Sequence, residues 1–366
     1  MTEKIVVFYQ PSDDDPAKML VNSGTVIRPR EMRSAFSELG YTVFAISGSF
    51  KERKKSVEEV RKENICFTYC ESANIPLALS GRKHFPIRPF SDLRNIRVLR
   101  KKGKVGFFYR DIFWREKRFF KEVGFLKGSI LWFFYYFEFF LLINSIDVLF
   151  VPSEPMKKHF PKYKKYSTKM SVLPPGCKGF FNDFFLYNYQ GIIEVLYSGN
   201  AALGTIYDIS DLLGILSRVS NCNLHISTEK NISEFKKMVQ SLRIENKVCF
   251  STKNYNDSYE KTMCFSVGLI WHVGDICDLE KYMPIKLFYY MEMGLPIIGR
   301  EGTAYGRFIK DKGIGWTYSS AVEFQELIFY LNTHYSEVVM AAENVRRIRN
   351  TETWKQRAKT VSALLL

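Results

Sequence analysis

Short apolar runs, rich in β-branched and aromatic residues, recur along the chain, and each ends in a polar or glycine-containing loop. Residues 4–10 (KIVVFYQ), 41–47 (YTVFAIS), 65–71 (ICFTYCE), 104–111 (KVGFFYRD), 147–153 (DVLFVPS) and 170–176 (MSVLPPG) have this form. Runs of this kind read as strands buried on both faces, which points to parallel sheets. Between the first two lies a loop through Gly24. A helical stretch over 28–39 follows, with Met32, Ala35, Phe36 and Leu39 at helical spacing and Gly40 where a helix should stop. Strand, helix, strand within about 45 residues is a βαβ unit, the building block of a doubly wound sheet.

A second series follows at 194–200 (EVLYSGN), 222–228 (CNLHIST), 247–252 (KVCFST) and 266–272 (SVGLIWH), and ends at 295–302 (LPIIGREG). The pattern predicts an α/β fold with two facing, doubly wound Rossmann-like domains and a cleft between them. Their expected extents are 1–174 and 175–350, joined near Pro174 and Pro175, with a terminal helix over 351–366 that could cross back to the first. In such an architecture ligands bind beyond the carboxyl ends of the strands.

Length and composition agree with a folded two-domain chain: 366 residues, 46% hydrophobic and 25% charged. They exclude wholesale disorder, collagen-like structure and coiled coil. Lys and Arg number 53 against 38 Asp and Glu, a formal charge of +15, which implies an anionic partner. Two blocks carry the excess: residues 97–127, with eleven Lys or Arg against three acids, and residues 156–169, with six Lys and no acid. Between them residues 130–143 (ILWFFYYFEFFLLI) are apolar on more than one helical face, apart from Glu138. Fourteen such residues fall short of the ~20 that span a bilayer. They suit either a core helix or an anionic membrane surface. Seven scattered Cys read as reduced thiols, and no secretory signal follows Lys4. The expected location is cytoplasmic, with peripheral attachment to the inner face of a membrane left open.

The most informative stretch is 278–306, DLEKYMPIKLFYYMEMGLPIIGREGTAYG. Pro284 opens a helix and Gly294 ends it, so the helix N-terminus, with Lys286 in its first turn, points at the crevice. A helix start and a lysine make a diphosphate site; the bland alternative is a solvated surface lysine. In the first half, Asp111 ends its run beside Arg110. It is either a general base for an acceptor hydroxyl or a helix N-cap, and Arg110 could instead grip an acceptor phosphate. Asp13, Asp14 and Asp15 form a loop cluster, and His272 follows a strand toward the crevice. No Gly-rich dinucleotide fingerprint follows any of the strands.

These motifs resemble those of GT-B glycosyltransferases, above all bacterial GT4-like enzymes that build surface polysaccharides and glycoprotein glycans. The likeness rests on P-x-K-L-x-x-Y-M-x-x-G-L-P-I-I from Pro284, the G-T-A at 302–304, I-K-D-K-G-I-G-W from Ile309, and the VLFVPS, VLPPG and VLYSGN segments. It implies a hexosyltransferase-like enzyme moving a sugar from a nucleotide-sugar donor, UDP-sugar favoured, to a glycan, lipid-linked or protein-linked acceptor. No cofactor or metal is expected on this reading. Lys286 would contact the donor diphosphate, with Gly199 and Asn200 approaching the phosphates. Ser251 and Tyr255 would lie near the base, and Tyr289, Gly302 and Thr303 would complete the donor site. Gly24 and Thr25 would form a glycine loop near sugar and acceptor. The sequence departs from the retaining members' pattern, which has a Glu three residues after the lysine and another eight residues earlier. Tyr289 and Lys281 stand there, with Glu280 and Glu292 only nearby. Two other classes stay open: an inactive GT-B-like partner subunit, and a basic nucleic-acid-binding protein, which only the charge supports.

Overall fold

Each of the eleven apolar runs holds a strand in the computed structural model, which describes residues 4–13, 15, 24–72, 75–81, 84–86, 88–178, 183–251 and 264–366. The chain divides into two compact units, 1–176 with 354–366, and 177–353.

Unit 1 begins with β1 (Ile5–Tyr9), α1 (Gly24–Glu38), β2 (Thr42–Ile46), α2 (Phe50–Val60) and β3 (Ile65–Glu71). It continues through α3 (Ser91–Arg100), β4 (Lys104–Phe108), α4 (Phe119–Val123) and α5 (Phe125–Ile143). β5 (Val148–Val151), α6 (Glu154–Lys158), α7 (Tyr163–Tyr166) and β6 (Met170–Val172) complete its main run. All six strands pair in parallel, in the order β2-β1-β3-β4-β5-β6.

Unit 2 opens with β7 (Ile193–Ser198), α8 (Ser210–Leu216), β8 (Cys222–Ser227), α9 (Ile232–Ser241) and β9 (Val248–Ser251). β10 (Val267–Leu269), α10 (Ile276–Leu279), α11 (Ile285–Glu292), β11 (Ile297–Arg300) and α12 (Ala304–Lys312) follow. Then come β12 (Gly315–Tyr318), α13 (Ala321–Thr333) and α14 (Tyr335–Arg349). The parallel order is β12-β11-β10-β7-β8-β9. The last helix, α15 (Trp354–Leu365), belongs to unit 1.

Both sheets are covered on two faces, as continuous apolar strands require. In unit 1, Val7, Phe107 and Leu149 pack with Ile96, Phe139 and Leu142 on one side. On the other, Val6, Phe8, Phe67 and Phe150 pack with Met32 and Phe36 of α1 and with Trp354, Ala358, Val361 and Leu365 of α15. A buried polar knot ties β1, α2 and α3 together: Arg53 grips both carboxylate oxygens of Asp92 at 2.9 and 3.0 Å, and Tyr9 donates to the same carboxylate at 2.5 Å.

Three local readings differ from the structure. β12 was not among the expected strands, because its residues GWTY are few, half-exposed and begin with glycine. The backbone demands that glycine, since a Cβ at Gly315 would collide with the backbone of Ile297 on β11. Gly24 and Thr25, expected in a loop, are the first two residues of α1. The aromatic helix starts at Phe125 rather than Ile130, giving α5 19 residues.

Candidate active site

The strand order of unit 2 reverses between β7 and β10, the switch point at which open α/β sheets bind ligands. The two strands pair only at Val195–Val267 and Leu196–Gly268. Beyond that the Tyr290 hydroxyl fills the gap, accepting from the Ser198 N–H at 2.9 Å and donating to the Leu269 carbonyl at 3.0 Å. Gly268 makes room for it: a Cβ there would collide with the Tyr290 ring. α11 is thereby fixed beneath the switch point.

Lys286 stands one turn before Tyr290, on the same face of α11. Its stem is partly exposed, but its Nζ is shut off from solvent and has no hydrogen-bond partner among the described residues. The ammonium lies 4.4 Å from the centroid of the Tyr197 ring and 6.0 Å from that of Tyr207. Loss of hydration with no counter-charge pulls its pKa down to about 7. Gly199, at φ 110°, leaves the space beside it open; a Cβ there would come within 3.6 Å of Nζ. Asn200 follows, held by a 2.5 Å hydrogen bond from Tyr197 to its carbonyl, and its buried Oδ1 has no partner among the described residues. A buried ammonium, a helix start whose N-cap, Pro284, supplies no side-chain bond, and a glycine that allows close backbone approach can hold a diphosphate.

Other sequence-selected residues border this place or lie away from it. Thr303 is the N-cap of α12; its buried hydroxyl accepts from Gly306 N and donates to the Arg300 carbonyl at 2.7 Å. Gly302, at φ 79°, precedes it, and the Ala304 N–H is taken by the Glu280 carbonyl at 2.8 Å. His272 is buried and shares a 3.0 Å hydrogen bond with Tyr305, while Arg300 donates to its carbonyl. His272 and Arg300, with Trp271, border an open groove of about 490 Å³. Ser251 ends β9, the outermost strand on the far side of β8, and Tyr255 lies outside the described residues. Tyr289 is half-buried beside Tyr290. Lys281 is buried and donates to the Asp278 carbonyl at 2.6 Å, and the Glu292 carboxylate accepts from Lys178 N at 2.5 Å. The two glutamates nearest the expected positions are thus tied to the fold, Glu280 through its carbonyl and Glu292 through its side chain.

Unit 1 has its own polar cluster at the ends of β3 and β4. Arg110 and Asp111 lie just past β4; Arg110 NH2 is 3.8 Å from Glu71, and its backbone N–H is held by Ser72 at 3.0 Å. Glu71 is fully buried and also accepts from Arg28 at 3.2 Å and from Tyr69 at 3.0 Å. Arg28 lies flat on the Phe108 ring, 3.4 Å from its centroid. Asp111 accepts from Phe113 N at 3.3 Å, the cap contact, and also lines a narrow cavity with Ser72, Tyr109, Tyr135 and Glu138. Burial pushes the Glu138 carboxyl up to about 8, although Ala78 N donates to it. Burial thus favours the neutral form of Glu138, which shares this cavity with Asp111. Of the acidic loop, Asp15 pairs with Arg33 at 2.8 Å and Asp13 lies 3.7 Å from Arg53; Asp14 is outside the described residues. Glu71, Arg28, Glu138, Tyr197, Tyr207 and Tyr290 were not singled out as site residues from sequence, since each acts through partners distant in the chain.

No family model and no curated protein matches the sequence. Solved structures do. A glycosyltransferase from Rickettsia africae aligns over 99% of this chain and 97% of its own, with a TM-score of 0.64 at 13% identity. Anabaena HepE, solved in complex with UDP and glucose, aligns over 99% of both chains with a TM-score of 0.62 at 11% identity. WaaG, a glycosyltransferase involved in lipopolysaccharide biosynthesis, aligns over 99% of both at a TM-score of 0.60 and 13% identity. The chain has the GT-B fold that these proteins share.

Replacing Tyr290 by Phe leaves a buried N–H on Ser198 and a buried carbonyl on Leu269 unmatched. This should destabilise unit 2 by about 1–3 kcal/mol. A lower denaturant midpoint, with faster amide exchange at Ser198, is the expected result; unchanged exchange there would show that β7 and β10 hold without it.

Proposed function

We propose that this chain is a GT-B glycosyltransferase that moves a sugar, most simply a hexose from a UDP-sugar, to a glycan, lipid-linked or protein-linked acceptor in cell-surface polysaccharide or glycoprotein synthesis. The observation that carries the reading is Lys286, whose buried ammonium has no hydrogen-bond partner among the described residues and lies beside Gly199 at the switch point of unit 2. The end-to-end likeness to HepE, solved with UDP and glucose, supports the same choice of donor. On this reading Lys286 and the start of α11 neutralise the donor diphosphate, and with it the charge that grows on the leaving group as the sugar departs. Asp111 accepts the acceptor proton, and Arg110 holds the acceptor against it.

Lys286→Ala removes one charge-assisted phosphate contact and should weaken UDP binding by roughly 10- to 150-fold, measured by calorimetry. Unchanged affinity would remove the donor site from unit 2.

Affinity should also depend on pH with a definite sign. Free Lys286 loses its proton near pH 7, whereas a bound phosphate holds that proton on. UDP affinity should therefore fall between about pH 7 and 9, a window in which the UDP phosphates, with a second pKa near ~6, are already ionised. Lys286→Arg should flatten the profile, because a guanidinium stays charged throughout. Equal slopes in the two proteins would mean that another group titrates.

Asp111→Asn should bind UDP normally and lose about 10²-fold or more in transfer. Turnover close to wild type would leave Asp111 as a cap alone. Absence of both transfer and UDP-sugar hydrolysis in the unmutated protein, with UDP still bound, would favour the inactive partner-subunit reading.

A further inference from the structure

α5 has one side in the core and one in solvent. Gly128, Glu138, Phe139, Leu142 and Ile143 are buried against the unit. The opposite side carries Leu126 (80% exposed), Ile130 (59%), Phe133 (60%) and Phe137 (46%), with Phe125 (75%) at its start. At 100° per residue the first four fall within a strip about 60° wide, along a helix roughly 28 Å long. Phe133 and Phe137 stack on each other along it, with ring planes 1° apart. Solvated apolar side chains in this number and order mark a surface that something covers.

Charge says what covers it. Lys121 and Lys127 flank the start of α5, and at its other end α6 and α7 pack onto it through Phe160 and Tyr166, whose rings meet Phe139. These helices and their linker present Lys158, Lys162, Lys164 and Lys165 to solvent. None of the six makes an ion pair with a described residue, whereas the neighbouring acids Glu122 and Glu154 are paired to Arg118 and Lys157. Lys162 bends over the Phe140 ring, 5.4 Å from its centroid, so cation and aromatic surface are continuous. An apolar strip with unpaired positive charge at both ends complements an anionic bilayer, and it disfavours a second copy of the same chain, whose charges would meet like with like. By length and composition α5 could cross a membrane, but its far side is built into the core of unit 1, so it can only lie along one.

We infer that α5 is an interfacial membrane helix. Its Leu126–Ile130–Phe133–Phe137 edge enters the acyl boundary of an anionic leaflet, and the lysines of α4, α6, α7 and the start of α5 contact the head groups. This does not rest on the transferase reading.

The test is co-sedimentation of the whole protein with vesicles of phosphatidylcholine and phosphatidylglycerol in equal parts, and with phosphatidylcholine alone. Binding should favour the anionic vesicles and weaken between ~0.1 and ~1 M salt as the Debye length shrinks from about 10 to 3 Å. A triple variant, Leu126→Gln, Ile130→Gln and Phe133→Gln, alters only exposed side chains. It should keep its thermal midpoint and UDP affinity and lose about tenfold or more in vesicle binding. Replacing Lys158, Lys162, Lys164 and Lys165 by Gln should abolish the preference for anionic lipid. No binding to either vesicle at low salt, equal binding to both, or a wild-type dimer in solution that the triple variant dissolves would each overturn the inference. The UDP affinity, read on the same samples, keeps any such failure separate from that of the donor site.

Discussion

A single phenol holds the middle of unit 2 together. β7 and β10 pair in register over two residue pairs and then part, and the Tyr290 hydroxyl accepts from the Ser198 N–H and donates to the Leu269 carbonyl in the gap. The ring reaches that place because residue 268 has no side chain. The same contact sets the height of α11 against the sheet, and so brings the Lys286 ammonium, one turn earlier, beside Gly199 and over Tyr197. The position of this unpaired charge is thus dictated by a neutral side chain beneath it. Rigid placement of this kind is what lets a binding group act without reorganising when its ligand arrives.

The two units bury cations at the carboxyl ends of their strands in opposite ways. In unit 1, Arg28 and Arg110 share the Glu71 carboxylate, and Tyr69 completes the cluster. A guanidinium cannot shed its charge, so it must be given a partner when it is buried. In unit 2 the Lys286 head group faces the rings of Tyr197 and Tyr207 and Gly199, makes no ion pair with a described residue, and lowers its proton affinity instead. An anion approaching Lys286 displaces no carboxylate among the described residues. An anion approaching Arg28 or Arg110 competes with Glu71. The first arrangement favours a ligand of high charge that comes and goes; the second holds the ends of β3 and β4 firmly in place.

Much of this was legible from residue order, and what was hidden was hidden for physical reasons. The strands could be read because burial on both faces turns a parallel strand into an unbroken apolar run, as in IVVFY and ICFTYCE. β12 escaped because half-exposed edge residues need not be apolar, and the glycine that opens it is required by a neighbouring backbone, not by its own strand. Pro284 and Gly294 bracketed α11 correctly, since helix ends are written locally. Nothing local shows that Lys286 is walled in, because Tyr197 and Tyr207 approach it from about 80 residues earlier. Glu71 and Glu138 were likewise visible as residues and invisible as site members. In α5 nearly every position is apolar, so periodicity could not say which side faces the core; only the packing of Phe139 and Leu142 shows it.

The return of α15 to unit 1 has a consequence for how the molecule is made. Trp354, Ala358, Val361 and Leu365 cover the face formed by Val6, Phe8, Phe67 and Phe150, and Leu365 comes so close to β4 that a Cβ on Gly106 would sit 2.9 Å from it. A growing chain emerges from the ribosome in order, so the first 176 residues wait, with one sheet face incompletely covered, while the whole of unit 2 is synthesised. Unit 2, continuous in sequence, is free to fold in that interval, while the half-finished face of unit 1 stays uncovered by α15. Of the two units, the one whose synthesis begins earlier is completed later.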